Sequence, residues 1–219
     1  MSTRCPRPPA ELPALEGGDV AAWEDFVVRI YSSQGPYAVT WSTFRAYGPV
    51  ASMRFDHHPP PARLHPTRAV SYTAGAWTGP EGEVTDPLEV AVLERFQSGG
   101  VIDRRTDGPR YVLWKPTRAL RLLRLSDADW VSRAGGNAAL ISGARGTARA
   151  WSRAIHCAYP DLDGLVWSSS VLPPGRSIVL YERALDALPG APSSDRALSE
   201  PFLQPALARA AGRFGLTLL

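Results

Sequence analysis

The sequence predicts an α+β domain, a mixed sheet with flanking helices, and three observations lead there. Runs rich in β-branched and aromatic residues (VVRIYSS, RAVSYTA, YVLWKP, RALRLLRL, GLVWSSS, RSIVLYERA) appear beside segments of helical period. The two kinds mix without the regular alternation of a doubly wound sheet, and no repeat is visible. At 219 residues and 44% apolar content, the chain can bury one substantial core and does not require two domains.

Residues 1–17 are rich in Pro and Glu, carry no period, and read as a flexible leader before a domain over 18–219. Asp19 is placed to cap a short helix through Ala21, Ala22 and Phe26, and VVRIYSS follows as a strand. Residues 34–67 hold many Pro, Gly and His and little period, so they read as an irregular crossing segment, and a loop of that length is often functional. RAVSYTA is a strand and GAWTGPEGEVTDP a loop. Asp86, Pro87 and Glu89 then fit N-cap, first helical residue and capping-box carboxylate of a helix running to about Ser98. YVLWKP and RALRLLRL follow as strands. Ser126 caps a short helical turn, and Thr147 begins a longer helix through Trp151, Ile155 and Ala158. GLVWSSS and RSIVLYERA are strands separated by a Pro-Pro-Gly turn, and residues 205–213 form a last helix ending at Gly215.

Charge and composition narrow the function classes. The formal charge is +3, and the basic residues are scattered rather than gathered in a run, which argues against direct nucleic-acid binding. Of 24 basic residues only Lys115 is a lysine, and arginine is the better fork for phosphate oxygens. Cys5 and Cys157 read as free thiols of a reducing compartment. No apolar run approaches the roughly 20 residues that cross a bilayer, and prolines occupy the start where a signal peptide needs an apolar core. The expectation is a cytoplasmic protein without a membrane contact.

Several polar residues stand out against their surroundings. Glu94 lies on the helical wheel between Val90 and Ala91 of an otherwise apolar helix, where it is desolvated unless its strip faces water or a ligand. A narrow solvent stripe shared with Gln97 is the plain structural reading. Arg29 interrupts an apolar strand and shares the face of Val27 and Tyr31, either at a surface edge or toward a ligand. Arg54 in SMRFDHH, Tyr72 in VSYTA and Ser169 in GLVWSSS read singly as a loop arginine, a core tyrosine and a turn serine. His57 and His58 have no accompanying ligand at metal spacing, so no metal site is expected. Lys115 lacks the upstream glycines of a phosphate loop. Ser169, His156 and Asp163 supply the residue types of a hydrolase triad, but no nucleophile elbow surrounds the serine.

As a set these residues gain meaning. The fragments RIYSS, MRFD, AVSYTA, AVLERF and DGLVWSSS occur in the order of the RES family, named for its arginine, glutamate and serine, and the chain resembles that family over roughly residues 26–185. Two departures are visible: Ser52 and Met53 replace the glycines usual before the second arginine, and the loop between Tyr72 and Glu94 is longer. The resemblance implies an ADP-ribosyltransferase-like fold and the NAD-consuming toxin of a toxin–antitoxin pair. Catalysis then falls to Glu94, Arg54 and Tyr72, and substrate binding to Arg29, Arg54, Tyr72 and Ser169. The serine stays open among Ser168, Ser169 and Ser170. NAD would be a substrate rather than a recycled cofactor, with inorganic phosphate or water accepting the ADP-ribosyl group. A protein acceptor is the alternative, and a non-catalytic binding module a further one. The resemblance also implies a small helix-turn-helix antitoxin as partner.

Overall fold

The computed structural model describes residues 4–78, 84–173 and 175–219. In chain order the strands and helices are β1 (Val20–Trp23), β2 (Val27–Ser32), β3 (Tyr47–Gly48), β4 (Arg63–Leu64), β5 (Val70–Gly75), β6 (Trp77–Thr78), β7 (Val84–Thr85), α1 (Pro87–Phe96), β8 (Val101–Ile102), β9 (Pro109–Trp114) and β10 (Leu120–Arg124). They continue with α2 (Trp130–Arg133), α3 (Ala139–Ser142), α4 (Arg145–Ala158), β11 (Gly164–Ser168), β12 (Arg176–Tyr181), β13 (Ser194–Ala197), α5 (Gln204–Phe214) and β14 (Thr217–Leu218).

Eight strands form one sheet in the order β1-β10-β11-β12-β5-β2-β9-β13. Its β10–β11 pairing is parallel and its other pairings antiparallel, so the predicted mixed sheet with flanking helices is what the chain forms. Alternation along the strands divides the core. Leu165, Trp167, Val179 and Tyr181 face Trp130, Trp151 and Ile155 of α2 and α4. Val166, Ile178 and Leu180 face the other way, with Val27, Tyr31 and Trp114.

The apolar circumference of α1 follows from what it touches on two sides. Leu88 and Val92 pack with Leu207, Ala210 and Ala211 of α5, while Val90, Ala91 and Leu93 pack on Val28 and Ala74 of the sheet. Each buried Leu or Val among them contributes roughly 1.5–3 kcal/mol. Asp86 caps the helix as expected, accepting from Leu88 N at 2.8 Å, with Pro87 at the first helical position.

Several expectations need correction. Residues 4–17 form no helix or strand, yet they are not a loose leader: Cys5, Leu12 and Leu15 pack on the core, Trp151 Nε1 donates to Pro6 O at 2.8 Å, and Tyr159 Oη donates to Pro13 O at 2.5 Å. The helix expected after Asp19 is strand β1, because the edge of β10 offers pairing partners and Val20 and Trp23 can pack against the core clusters on either face of the sheet. Asp19 instead closes a turn by accepting from Glu16 N at 2.7 Å. Ser126 caps no helix: its Oγ accepts from Ser168 N at 2.9 Å and so joins the ends of β10 and β11. Helix α4 begins at Arg145 rather than Thr147. Glu89 accepts from Arg213 Nη1 at 2.8 Å, tying α1 to α5 instead of closing a capping box. Residues 79–83 of the expected loop and Pro174 of the Pro-Pro-Gly turn lie outside the described residues.

Candidate active site

β2 and β5 pair only at Val27–Gly75 and Val28–Ala74. Beyond that point they part, and the crossing segment enters between them, Arg45 bridging Val70 in the place a continuing β2 would take. A split of this kind opens a cleft in an otherwise closed sheet. The cleft has a volume of about 370 Å³, within the range of small-molecule sites. Ile30, Tyr72, Ala74 and Ser177 floor it, α1 forms one wall through Ala91 and Glu94, and Arg54 and Arg145 stand on the other.

Glu94 is solvent-exposed and its position is fixed. Its Oε1 accepts from Ser169 Oγ at 2.9 Å and from Ser177 Oγ at 2.8 Å, while Oε2 makes no hydrogen bond among the described residues. Two hydroxyls from the sheet thus hold one carboxylate oxygen and leave the other toward the cleft. The backbone under this arrangement is tight. Ser169 N donates to Gly175 O, and a Cβ at Gly175 would stand 2.2 Å from Val90 Cγ2 of α1.

Arg54 stands on a well-anchored loop. Phe55 beside it is fully buried and meets Trp167 edge-on at 4.6 Å, and Arg149 holds the carbonyls of Ala51 and Met53. Arg54 Nη1 donates to Gly143 O at 2.7 Å. Burial and the neighbouring Arg145 lower the guanidinium's pKa, and Glu94 and Tyr72 partly oppose this. Arg29 lines the cleft where the strands part, but its Nη1 already donates to Trp41 O at 3.1 Å and Thr43 O at 2.7 Å. It braces the inserted segment. Burial lowers its pKa to about 10, and no carboxylate lies within ion-pair distance among the described residues. The hydroxyls of Tyr72 and Thr73 are buried without a side-chain partner among the described residues. Burial first, then Asp56, pushes the Tyr72 phenol far above its ordinary value, so it remains a donor.

The structure therefore brings Arg29, Arg54, Tyr72 and Glu94 to one cleft. Ser169 differs from expectation: it is 1% exposed, and its hydroxyl donates to Glu94 rather than facing the open space. Ser170 is the serine of that trio lining the cleft, and Ser168 is engaged with Ser126 and Arg176. Ser169, His156 and Asp163 form no triad, since Asp163 accepts from Arg118 and His156 contacts Glu182. Sequence reasoning missed Ser177 and Arg145. Ser177 had a signal: it is a small polar residue on the inward face of a strand whose inward neighbours are Val179 and Tyr181. Arg145, on the first turn of α4, had none.

The fold is shared with a solved structure. A chain of the M. tuberculosis MbcT–MbcA toxin–antitoxin complex is similar at a TM-score of 0.53, over 87% of this chain and 92% of that one, with 14% sequence identity. No family model and no curated protein matches the sequence. No helix among the described residues is long and apolar enough to cross a membrane.

Proposed function

We propose that the chain is the toxin of a toxin–antitoxin pair and degrades NAD by cleaving its nicotinamide–ribose bond. The observation that carries this reading is the carboxylate of Glu94, pinned at one oxygen by Ser169 and Ser177 and set opposite arginines in the cleft. When the glycosidic bond breaks, its electron pair leaves with nicotinamide and positive charge builds on the ribose. A carboxylate fixed near that ring is worth most in the transition state, and a pinned one loses little to reorganisation. Arg54 and Arg145 suit the pyrophosphate, whose oxygens take bidentate forks of donors. Tyr72 can donate to a ribose or amide oxygen. The ribosyl carbon then takes an oxygen of inorganic phosphate, giving ADP-ribose-1″-phosphate, or of water, whose proton passes to solvent, giving ADP-ribose.

Product analysis tests this. Purified protein with NAD, with and without phosphate, should release nicotinamide and one of those two products. Label fixed to a protein instead would mark ADP-ribosyl transfer, and no nicotinamide release at all would leave a non-catalytic module. In bacteria, expression should lower cytoplasmic NAD before growth stops. The solved complex that shares the fold supports an antitoxin partner, and the helix-turn-helix type follows from the RES resemblance. Co-expression of such a neighbour-encoded protein should restore both growth and NAD.

A further inference from the structure

The protein's four histidines, His57, His58 and His65 of the crossing segment and the distant His156 of α4, lie side by side in the interior, at ring-centroid distances of 4.0 Å (His57–His156), 5.1 Å (His57–His58) and 5.3 Å (His58–His65). Two of them are accounted for as structural groups. His58 sits between Asp56 and Arg68 O, and His65 Nε2 meets Gly48 O at 3.2 Å. His57 is different: it is fully buried, and neither ring nitrogen has a hydrogen-bond partner among the described residues. A neutral imidazole carries one donor and one acceptor, and leaving such groups unmade in an interior is costly.

The geometry around His57 shows what its Nε2 lies beside. Its ring stacks on His156 with planes 14° apart, and both Nε2 atoms lie near one carboxylate: His156 Nε2 is 2.7 Å from Glu182 Oε1 in hydrogen-bond geometry, and His57 Nε2 is 3.3 Å from Glu182 Oε2 outside it. One ligand atom from each of the three residues falls within 4.8 Å of the others. We infer that His57, His156 and Glu182 form a binding site for one divalent transition-metal ion of the zinc class. Two imidazoles and one carboxylate are a known zinc donor set, and the side chain of Glu182, 21% exposed, leaves an entry and a place for a fourth ligand.

Binding takes the tautomer in which the single ring proton of neutral His156, now on Nε2 and facing Glu182, sits on Nδ1 instead, which frees the Nε2 lone pair for the ion. Arg183, 3.4 Å from that Nδ1, keeps its shorter bonds to His156 O at 2.9 Å and Tyr159 O at 3.0 Å. Arg68 is likewise occupied with His57 O. The ion would clamp the crossing segment, three residues beyond Arg54, to α4 and the end of β12. The spacing 57…156…182 also explains why no ligand pattern accompanies His57 in the sequence.

The test uses full-length, tag-free protein stripped with a chelator and titrated with Zn²⁺ by calorimetry and with Co²⁺ by visible absorption. One ion per chain should bind, with the absorption of a low-symmetry site and a rise in Tm. His57→Gln and Glu182→Gln should each weaken binding by more than about 100-fold, since losing a ligand exceeds the cost of losing its supporting partner. Cys157→Ser, changing an exposed thiol next to His156, should bind as wild type. No saturable binding to the stripped wild-type protein would overturn the proposal, whatever the variants do. So would unchanged affinity in a folded Glu182→Gln, or loss of binding in Cys157→Ser. None of these readouts involves NAD.

Discussion

The cleft and the histidine cluster begin three residues apart, at Arg54 and His57, yet they treat polar groups in opposite ways. In the cleft, Glu94 Oε2, without a hydrogen bond among the described residues, borders open volume, and arginines line the same space as a carboxylate pinned at one oxygen. In the cluster, His57 is sealed between two other histidines and Tyr181, with only the Glu182 side leading outward. The difference teaches that an unsatisfied polar group is informative through the space beside it. Open volume with arginines suits an organic phosphate, whereas three ligand atoms within 4.8 Å of one another suit an ion.

The sharpest break of this comparison is at Glu94. Glu94→Ala should lower NAD turnover by two to three decades, on the order of 3–4 kcal/mol of transition-state stabilisation, with Tm held near wild type because the side chain is exposed. Retained turnover in a folded variant would separate the cleft from the chemistry.

A pH titration of stability addresses the cluster. Burial pushes His57 down to about 4, with Glu182 pulling the other way and His156 adding to the fall. An unfolded histidine takes its proton near pH 6.5, so between about 6.5 and 4 the unfolded chain binds more protons and stability falls as pH falls. The loss is on the order of 3 kcal/mol across that window. Glu182 behaves in the same direction at lower pH: burial raises it, but His156, His57 and the Ala69 amide hold it well below the carboxylate range, so its contribution is lost only as pH falls below the unfolded value. Urea unfolding of chelator-treated protein should show the decline, and His57→Gln should remove the upper part of it. Zn²⁺ at pH 7 should steepen it, since protons then compete with metal.

Smaller effects refine the picture of how Glu94 is held. Ser177→Ala should reduce kcat about tenfold, near 1.4 kcal/mol, with little change in KM. Adding Ser169→Ala should cost more than the sum of the single changes, because each hydroxyl covers for the other. Additive losses would mean that the two serines act independently. At the far end of α1, Asp86→Ala should cost about 1 kcal/mol of stability through the lost cap, while Glu89→Ala, which removes only a surface pair with Arg213, should cost less than about 0.5 kcal/mol and leave turnover intact.

Local signals carried a large part of this structure. Period-two runs located the strands around Val28, Tyr72, Val166 and Val179, and Asp86-Pro87 marked the start of α1, because those patterns depend on neighbours in sequence. Glu94 was legible as a carboxylate out of place on an apolar helix. Ser177 was within reach of the same logic, while the edge strand β1 was not, since VAAW fits helix or strand and the free edge of β10 decides.

By itself, then, the sequence determined the α+β class, the helix bearing Glu94 and the polar residues that interrupt apolar runs, for periodicity and capping are local. Tertiary structure alone decided which of them meet. The two-residue pairing of β2 with β5 opens the cleft, the turn at Gly175 swings Ser169 under Glu94, and the approach of β12 to α4 sets Glu182 across His57 and His156. Those meetings join residues 26 to 125 positions apart in the chain, and only the packing of the whole sheet specifies them.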